Sequence, residues 1–240
     1  GRAFAFVPST ISMASRFSSS IDWAAIGKNT DLPAPVRSHL VRVYVVLAGA
    51  VGMAAAGAYA DLIYSLAGVL ATIGSFVGVL FTVMAGTQQL KLMSLAMTAF
   101  CLGVSIGPLV AHVLAVDPSI VVTALFATVL AFACFSASAL VAQRRSYLYL
   151  GGILSSALSS LIWMGFAAMM FGSPMLMTAR LYLGLVVFSF YVVFDTQLIV
   201  EKAANGDRDY AVHALTLFLD FMNILVKLLV LLSKDKKKKK

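Results

Sequence analysis

Between residues 40 and 233 the chain is a nearly unbroken series of apolar runs, each about 20 residues long and separated by a few polar residues. A hydrocarbon core about 30 Å thick needs about 20 such residues per helix, and backbone polar groups in lipid must be satisfied within the segment that bears them. Helices are therefore expected near 40–60, 62–85, 92–115, 119–142, 147–171 and 178–200. A seventh segment, 211–233, is apolar but contains His213, Thr216, Asp220, Asn223 and Lys227. Short connections make neighbouring helices antiparallel. The expected fold is all-α: a polytopic membrane helix bundle of six transmembrane helices plus a semi-polar seventh, C-terminal helix packed in the centre. With 61% hydrophobic and 12% charged residues, a soluble globular domain is disfavoured.

The net charge of +8 resides at the two ends. Residues 1–42 hold five Lys/Arg against two Asp, residues 234–240 hold six Lys against one Asp, and the middle has seven of each sign. Basic ends on a neutral bundle point to anionic lipid headgroups or acidic proteins, and not to a nucleic-acid-binding core. The expected organisation is a cytosolic N-terminal tail (1–36), a transmembrane domain (37–233) and a basic cytosolic tail (234–240). Residues 1–21, Ser-rich with arginines and no acids, also have the composition of a transit peptide. Cys101 and Cys134 lie within predicted spans without metal-ligand spacing, as buried free thiols do.

Positive charge in the N-terminal segment, at Lys91, at Arg144 and Arg145, and at Lys202 and Arg208 puts those connections on the cytosolic side, opposite Asp61, Asp117 and 172–177. A full seventh crossing would then strand the lysine tail on the far side. A half-inserted or shifted last helix with a cytosolic C-terminus is the expectation. Ala48, Gly52, Ala56 and Ala60, spaced by four, predict a small-residue ridge for helix packing. Pro108 cannot donate to the Val104 carbonyl, so Gly107 and Pro108 predict a kink that acts as a hinge or shapes the bundle. Ser155, Ser156, Ser159 and Ser160 are expected to bond their own backbone or a neighbouring helix.

In the last segment His213, Thr216, Asp220, Asn223 and Lys227 recur at steps of three and four, a single stripe on a helix of 3.6 residues per turn. A carboxylate facing lipid costs several kcal/mol, so the stripe must face the bundle interior, a water-filled cavity or another polar helix. Asp195 lies about 9 Å before the 201–210 loop and Asp220 about 15 Å after it, at 1.5 Å per residue. With unequal tilt the two can meet, and Tyr191, one turn before Asp195, shares its face. Two carboxyls at such a distance in a low dielectric cannot readily both ionise, so the pair is expected to hold a shared proton and respond to pH. The same pair is a candidate Ca²⁺ site, since Ca²⁺ seeks carboxylate oxygens. The competing expectation is a static network pairing Asp220 with Lys227 or His213. An aspartyl intramembrane protease is disfavoured because Asp195 follows Phe194 and not Tyr, and a retinal protein because position 223, four before Lys227, is Asn.

Several stretches resemble the Bax inhibitor-1 family, the transmembrane Bax-inhibitor-motif proteins. "FDTQLIVEKAANGDRDYAVHALTLFLDF" (194–221) resembles the C-terminal signature and "GVSIGP" (103–108) the third-span motif. "RRSYLYLGG" (144–152) and "LPAPVRSHLVRVY" (32–44) resemble the eukaryotic branch, plant members especially. The resemblance implies a seven-helix bundle in the endoplasmic reticulum that suppresses cell death and leaks Ca²⁺ in a pH-dependent way. Asp195 and Asp220 would then be the proton sensor in the ion path, with His213, Asn223, Lys227 and Tyr191 as its surroundings. It also implies Ca²⁺ as a transported ion and no cofactor or enzymatic activity. Calmodulin and cell-death regulators of the Bcl-2 type are the implied partners, through Lys236, Lys237, Lys238, Lys239 and Lys240, which also suit lipid headgroups. Lys237 and Lys238 match dilysine retrieval spacing. Prokaryotic members have an arginine latch near the second span, where Lys91 is the nearest basic residue here. The alternative reading is a membrane scaffold that blunts cell death by binding partners through its tails.

Overall fold

The computed structural model describes residues 33–142 and 148–239. The N-terminal tail through residue 32, the "QRR" stretch, Lys240 and the side chains of Lys238 and Lys239 lie outside the described residues, and the expectations made for them with it. Among the described residues seven helices follow in order: α1 (Ala34–Tyr64), α2 (Val69–Met84), α3 (Gln88–Val116), α4 (Ser119–Val141), α5 (Leu150–Phe171), α6 (Pro174–Ala204) and α7 (Tyr210–Lys239). Six of them are long and apolar enough to cross a membrane. The short member is α2, not the last: its 16 residues span about 24 Å at 1.5 Å per residue.

Local chemistry sets the boundaries. The Thr87 hydroxyl accepts from the Leu90 N–H to open α3, and Ser173 does the same for Leu176 ahead of Pro174 at the start of α6. Ser65, left-handed at φ 52°, ends α1, and its N–H returns to the Asp61 carbonyl. Gly206, at φ 97°, turns the chain between α6 and α7.

The helices alternate in direction. Asp195 of α6 meets Asp220 of α7, and Thr178 meets Lys234, so those two run antiparallel. The starts of α3, α5 and α7 thus lie at one end of the bundle, here the Asp209 end, and those of α2, α4 and α6 at the other, the Asp117 end. α7 contacts α1, α2, α3, α4 and α6. Half of its apolar window is buried, against 17% for α5, which makes α7 the central helix and α5 a peripheral one. Phe218, Leu217 and Ile224 of α7 pack with Val43 and Val192 in the core, and Phe221 meets Phe132 edge-on at 5.8 Å.

The half-inserted last helix is corrected. α7 begins beside Asp209 and ends where Lys236 Nζ pairs with Asp117 Oδ2 at 2.7 Å, so it runs the full length of the bundle. Its tail emerges opposite the end bearing Lys91, Lys202 and Arg208. The carboxylate of Asp117, the His112 ring and the Thr178 hydroxyl receive Lys236, Lys237 and Lys234 there. This offsets part of the charge asymmetry that argued for the other arrangement.

The small-residue ridge is also corrected. Ala48, Gly52 and Ala56 are exposed, and the buried face of α1 is Ala50, Ala54, Gly57 and Ala58. It meets Gly103 and Gly107 of α3, where a Cβ on Gly103 would lie 2.0 Å from the Ala54 carbonyl oxygen. Spacing by four identified a stripe of small residues, and contact geometry selected the neighbouring one. Through Pro108, α3 is continuous. Gly107 makes room for the Asp61 carboxylate, whose Oδ2 would be 2.1 Å from a Cβ there. Ser155, Ser156 and Ser160 bond carbonyls one turn earlier in their own helix.

Candidate functional site: a buried carboxyl pair on the central helix

Asp195 on α6 and Asp220 on α7 face each other across the seam between the two helices, each within the electrostatic reach of the other. They are 7% and 5% exposed. Two carboxyl groups placed together in a low dielectric cannot readily both ionise. Asp220 Oδ2 is buried with no partner among the described residues.

The neighbours of Asp195 fix its position. One residue on, the Thr196 hydroxyl lies 3.4 Å from Ser136 Oγ of α4, and Gln197 Nε2 donates to the Ala139 carbonyl at 3.2 Å. These bonds hold the register of α6 on α4 while Asp195 points to α7. Tyr191 lies within the electrostatic reach of both aspartates. Its ring packs with Phe188 at 5.8 Å and Phe194 at 6.4 Å.

The family model for the inhibitor of apoptosis-promoting Bax1 matches residues 36–237. Bax inhibitor 1 of Bos taurus is 44% identical over 234 residues, covering 93% of this chain and 99% of its own. The chain belongs to the Bax inhibitor family. Bax inhibitor 1 of Arabidopsis thaliana is 45% identical over 204 residues, 83% of this chain and 82% of its own. That of Homo sapiens is 43% identical over 233 residues, 93% and 98%. Family membership and six apolar spans make this a multi-pass membrane protein.

In this family member the polar stripe of α7 serves three neighbourhoods, not one. At the Asp209 end, His213 Nδ1 lies 2.9 Å from His39 Nε2 of α1, and its other nitrogen 3.7 Å from Asp207. In the middle, Asp220 meets Asp195. Toward the Asp117 end, Lys227 Nζ donates to Asn223 Oδ1 at 3.2 Å and sits 4.2 Å over the Phe188 ring. Thr216 bonds the Val212 carbonyl of its own helix. The static pairing of Asp220 with His213 or Lys227 is thus overturned.

Lys91 does not reach the aspartate pair. It forms an ion pair with Asp209, which also accepts from Gln88 Nε2 at 3.1 Å and from the Val212 N–H at 3.2 Å. Asp209 therefore caps α7 and ties it to α3. Burial pushes its carboxyl up, but the bonds from Lys91, Val212 and Gln88 outweigh this and hold it below the usual carboxylate range. An Asp directly before the apolar run of α7 was the available signal for this cap. The partners of His39 and Asp209 on other helices escaped the sequence reading because they are 174 and 118 residues away.

Among the described residues no group of three or more His, Cys, Asp or Glu could hold a metal ion. Ca²⁺ takes about six to eight oxygens, more than two carboxylates supply.

Proposed function

We propose that the protein is a pH-sensitive Ca²⁺ leak channel of the endoplasmic-reticulum membrane that suppresses programmed cell death, with Asp195 and Asp220 as the proton sensor in the ion path. The observation that supports this most is the buried carboxyl pair between α6 and the central α7. Loss of the shared proton leaves two negative charges facing each other in a low dielectric. Moving the helices apart, or admitting a cation between them, relieves that repulsion. Because each aspartate stands on a different helix, titration is coupled to helix spacing. The cell-death role rests on relatives named Bax inhibitor 1.

Lys236, Lys237 and Lys234, at the end of α7, engage Asp117, His112 and Thr178, which favours a channel over a scaffold that offers these lysines to partners. Ca²⁺ flux into liposomes holding the purified protein, at acidic and neutral pH, tests the proposal. The pH dependence should vanish in the double variant Asp195→Asn with Asp220→Asn and survive in Asp235→Asn. Flux no greater than in empty liposomes, with folded protein, would reject the channel. Loss of protection in cells on deleting 234–240, with flux intact, would restore the scaffold.

A further inference from the structure

α5 packs on α6 but stands off from α7, and the gap is a crevice of about 660 Å³ between the three helices. Its volume falls in the range of about 300–1,000 Å³ common for ligand sites. The walls are mostly apolar, including Leu158, Leu161 and Val230, and three cations line it: Arg180, Lys227 and Lys234. Among the described residues no carboxylate lines it.

Two glycines seat the inner cations. A Cβ on Gly165 of α5 would lie 2.9 Å from the Arg180 Cζ, so the guanidinium rests against bare backbone. A Cβ on Gly184 of α6 would lie 2.4 Å from the Lys227 Cε, so the lysine stem crosses α6 there. Gly184, against which the Lys227 stem rests, is one turn after Arg180 on α6, so the two cations share one stretch of the crevice. Among the described residues neither forms an ion pair, and the Lys227 ammonium has only Asn223 oxygens and the Phe188 face. Two like charges held together at membrane depth without a counter-ion are costly, and an anion between them removes the cost.

We propose that this crevice binds an acyl chain headed by an oxyanion, the head between Arg180 and Lys227 and the chain along the apolar walls. Arg180 offers the planar fork that matches a carboxylate or phosphate, and Lys227 adds a point charge. Lys234, two turns nearer the Asp117 end on α7, lies where such a head would come in from the interface. The site is distinct from the aspartate pair, one to two turns away, and does not depend on channel activity.

The test uses the full chain in neutral detergent micelles, with bound lipid counted by native mass spectrometry and Tm followed in parallel. The probes are oleate, dioleoyl phosphatidic acid and, as the uncharged control, oleyl alcohol. One equivalent of oleate or phosphatidic acid should bind and raise Tm, while oleyl alcohol should not. Oleate alone would identify a free fatty acid as the ligand class, and phosphatidic acid alone a phospholipid. Lys227→Met and Arg180→Gln should each weaken binding about tenfold or more, as expected for a lost hydrogen bond to a charged group. Lys227→Arg should retain it, which separates loss of charge from misfolding, and Asp220→Asn should bind as wild type does. Equal binding of oleyl alcohol and oleate, undiminished binding in Lys227→Met, or no binding of either anion would overturn the proposal.

Discussion

His39 Nε2 and His213 Nδ1 lie 2.9 Å apart with their rings at 89°, a buried contact that joins the first helix to the last. One imidazole donates and the other accepts, so each satisfies a nitrogen that burial has cut off from water. Replacing His39 by Phe should lower stability by about 1–3 kcal/mol through the orphaned partner. The double change His39→Phe with His213→Phe should cost less than the two single changes added together. Thermal unfolding in detergent measures this, and strictly additive losses would rule out coupling.

The contact between α1 and α3 tolerates no side chain at two points. A Cβ on Gly57 would lie 2.2 Å from the Phe100 carbonyl oxygen, and one on Gly103 2.0 Å from that of Ala54. Both obstacles are backbone, which cannot swing aside as a side chain does. Gly57→Ala or Gly103→Ala should cost about 1–3 kcal/mol or more by overpacking. Gly52→Ala, with nothing within 4 Å, should leave stability unchanged or improved. Tm and the monodisperse fraction on gel filtration distinguish these outcomes; a loss at Gly52 equal to that at Gly103 would refute the assignment of the packed face.

Asp209 lies below the usual carboxylate range when folded. A carboxyl lowered in this way stabilises the fold above its unfolded value of about 3.9, and that contribution is lost as pH falls through the folded value. The Tm gap between wild type and Asp209→Asn should therefore hold constant from about pH 5 to 8 and close only in stronger acid. A gap that closes near neutrality would mean that Asp209 itself titrates there. In that event a pH-dependent flux would no longer point to Asp195 and Asp220.

Lys236, then Ser119, hold Asp117 well below the ordinary carboxylate range, so by the same sign this contact persists through mild acid. It also fixes the side on which the tail emerges. A protease-sensitive tag after residue 240 and another in the 117–118 connection should be cut from the same face of sealed vesicles. A tag in the 205–209 connection should be cut from the opposite face. Matching accessibility of the 240 and 205–209 tags would contradict a full crossing by α7. Because the pair is exposed, Asp117→Asn and high salt should speed tryptic removal of the tail without lowering global stability.

Much of the architecture was legible in the one-dimensional pattern, because the bilayer acts on each segment separately. An apolar run of about 20 residues must be a helix wherever it sits, so the runs near 40–60 and 119–142 announced α1 and α4 without reference to any neighbour. The stripe on α7 was equally plain, since polar residues every three or four positions cannot all face lipid. That an aspartate on α6 could meet one on α7 followed from the short connection between them.

What the chain alone determined was therefore the helical class, the buried destiny of the α7 stripe and the neutrality of the spans, each of which depends on single segments in lipid. Tertiary structure decided which small residues of α1 touch α3, how far α7 runs, and which partner each polar side chain takes. His213 found His39, Asp220 found Asp195, and Lys227 found Asn223 and the Phe188 ring. Those choices depend on the rotation and tilt of whole helices. They are set by side chains far apart in sequence, such as Gly103 against Ala54, and no local spacing encodes them.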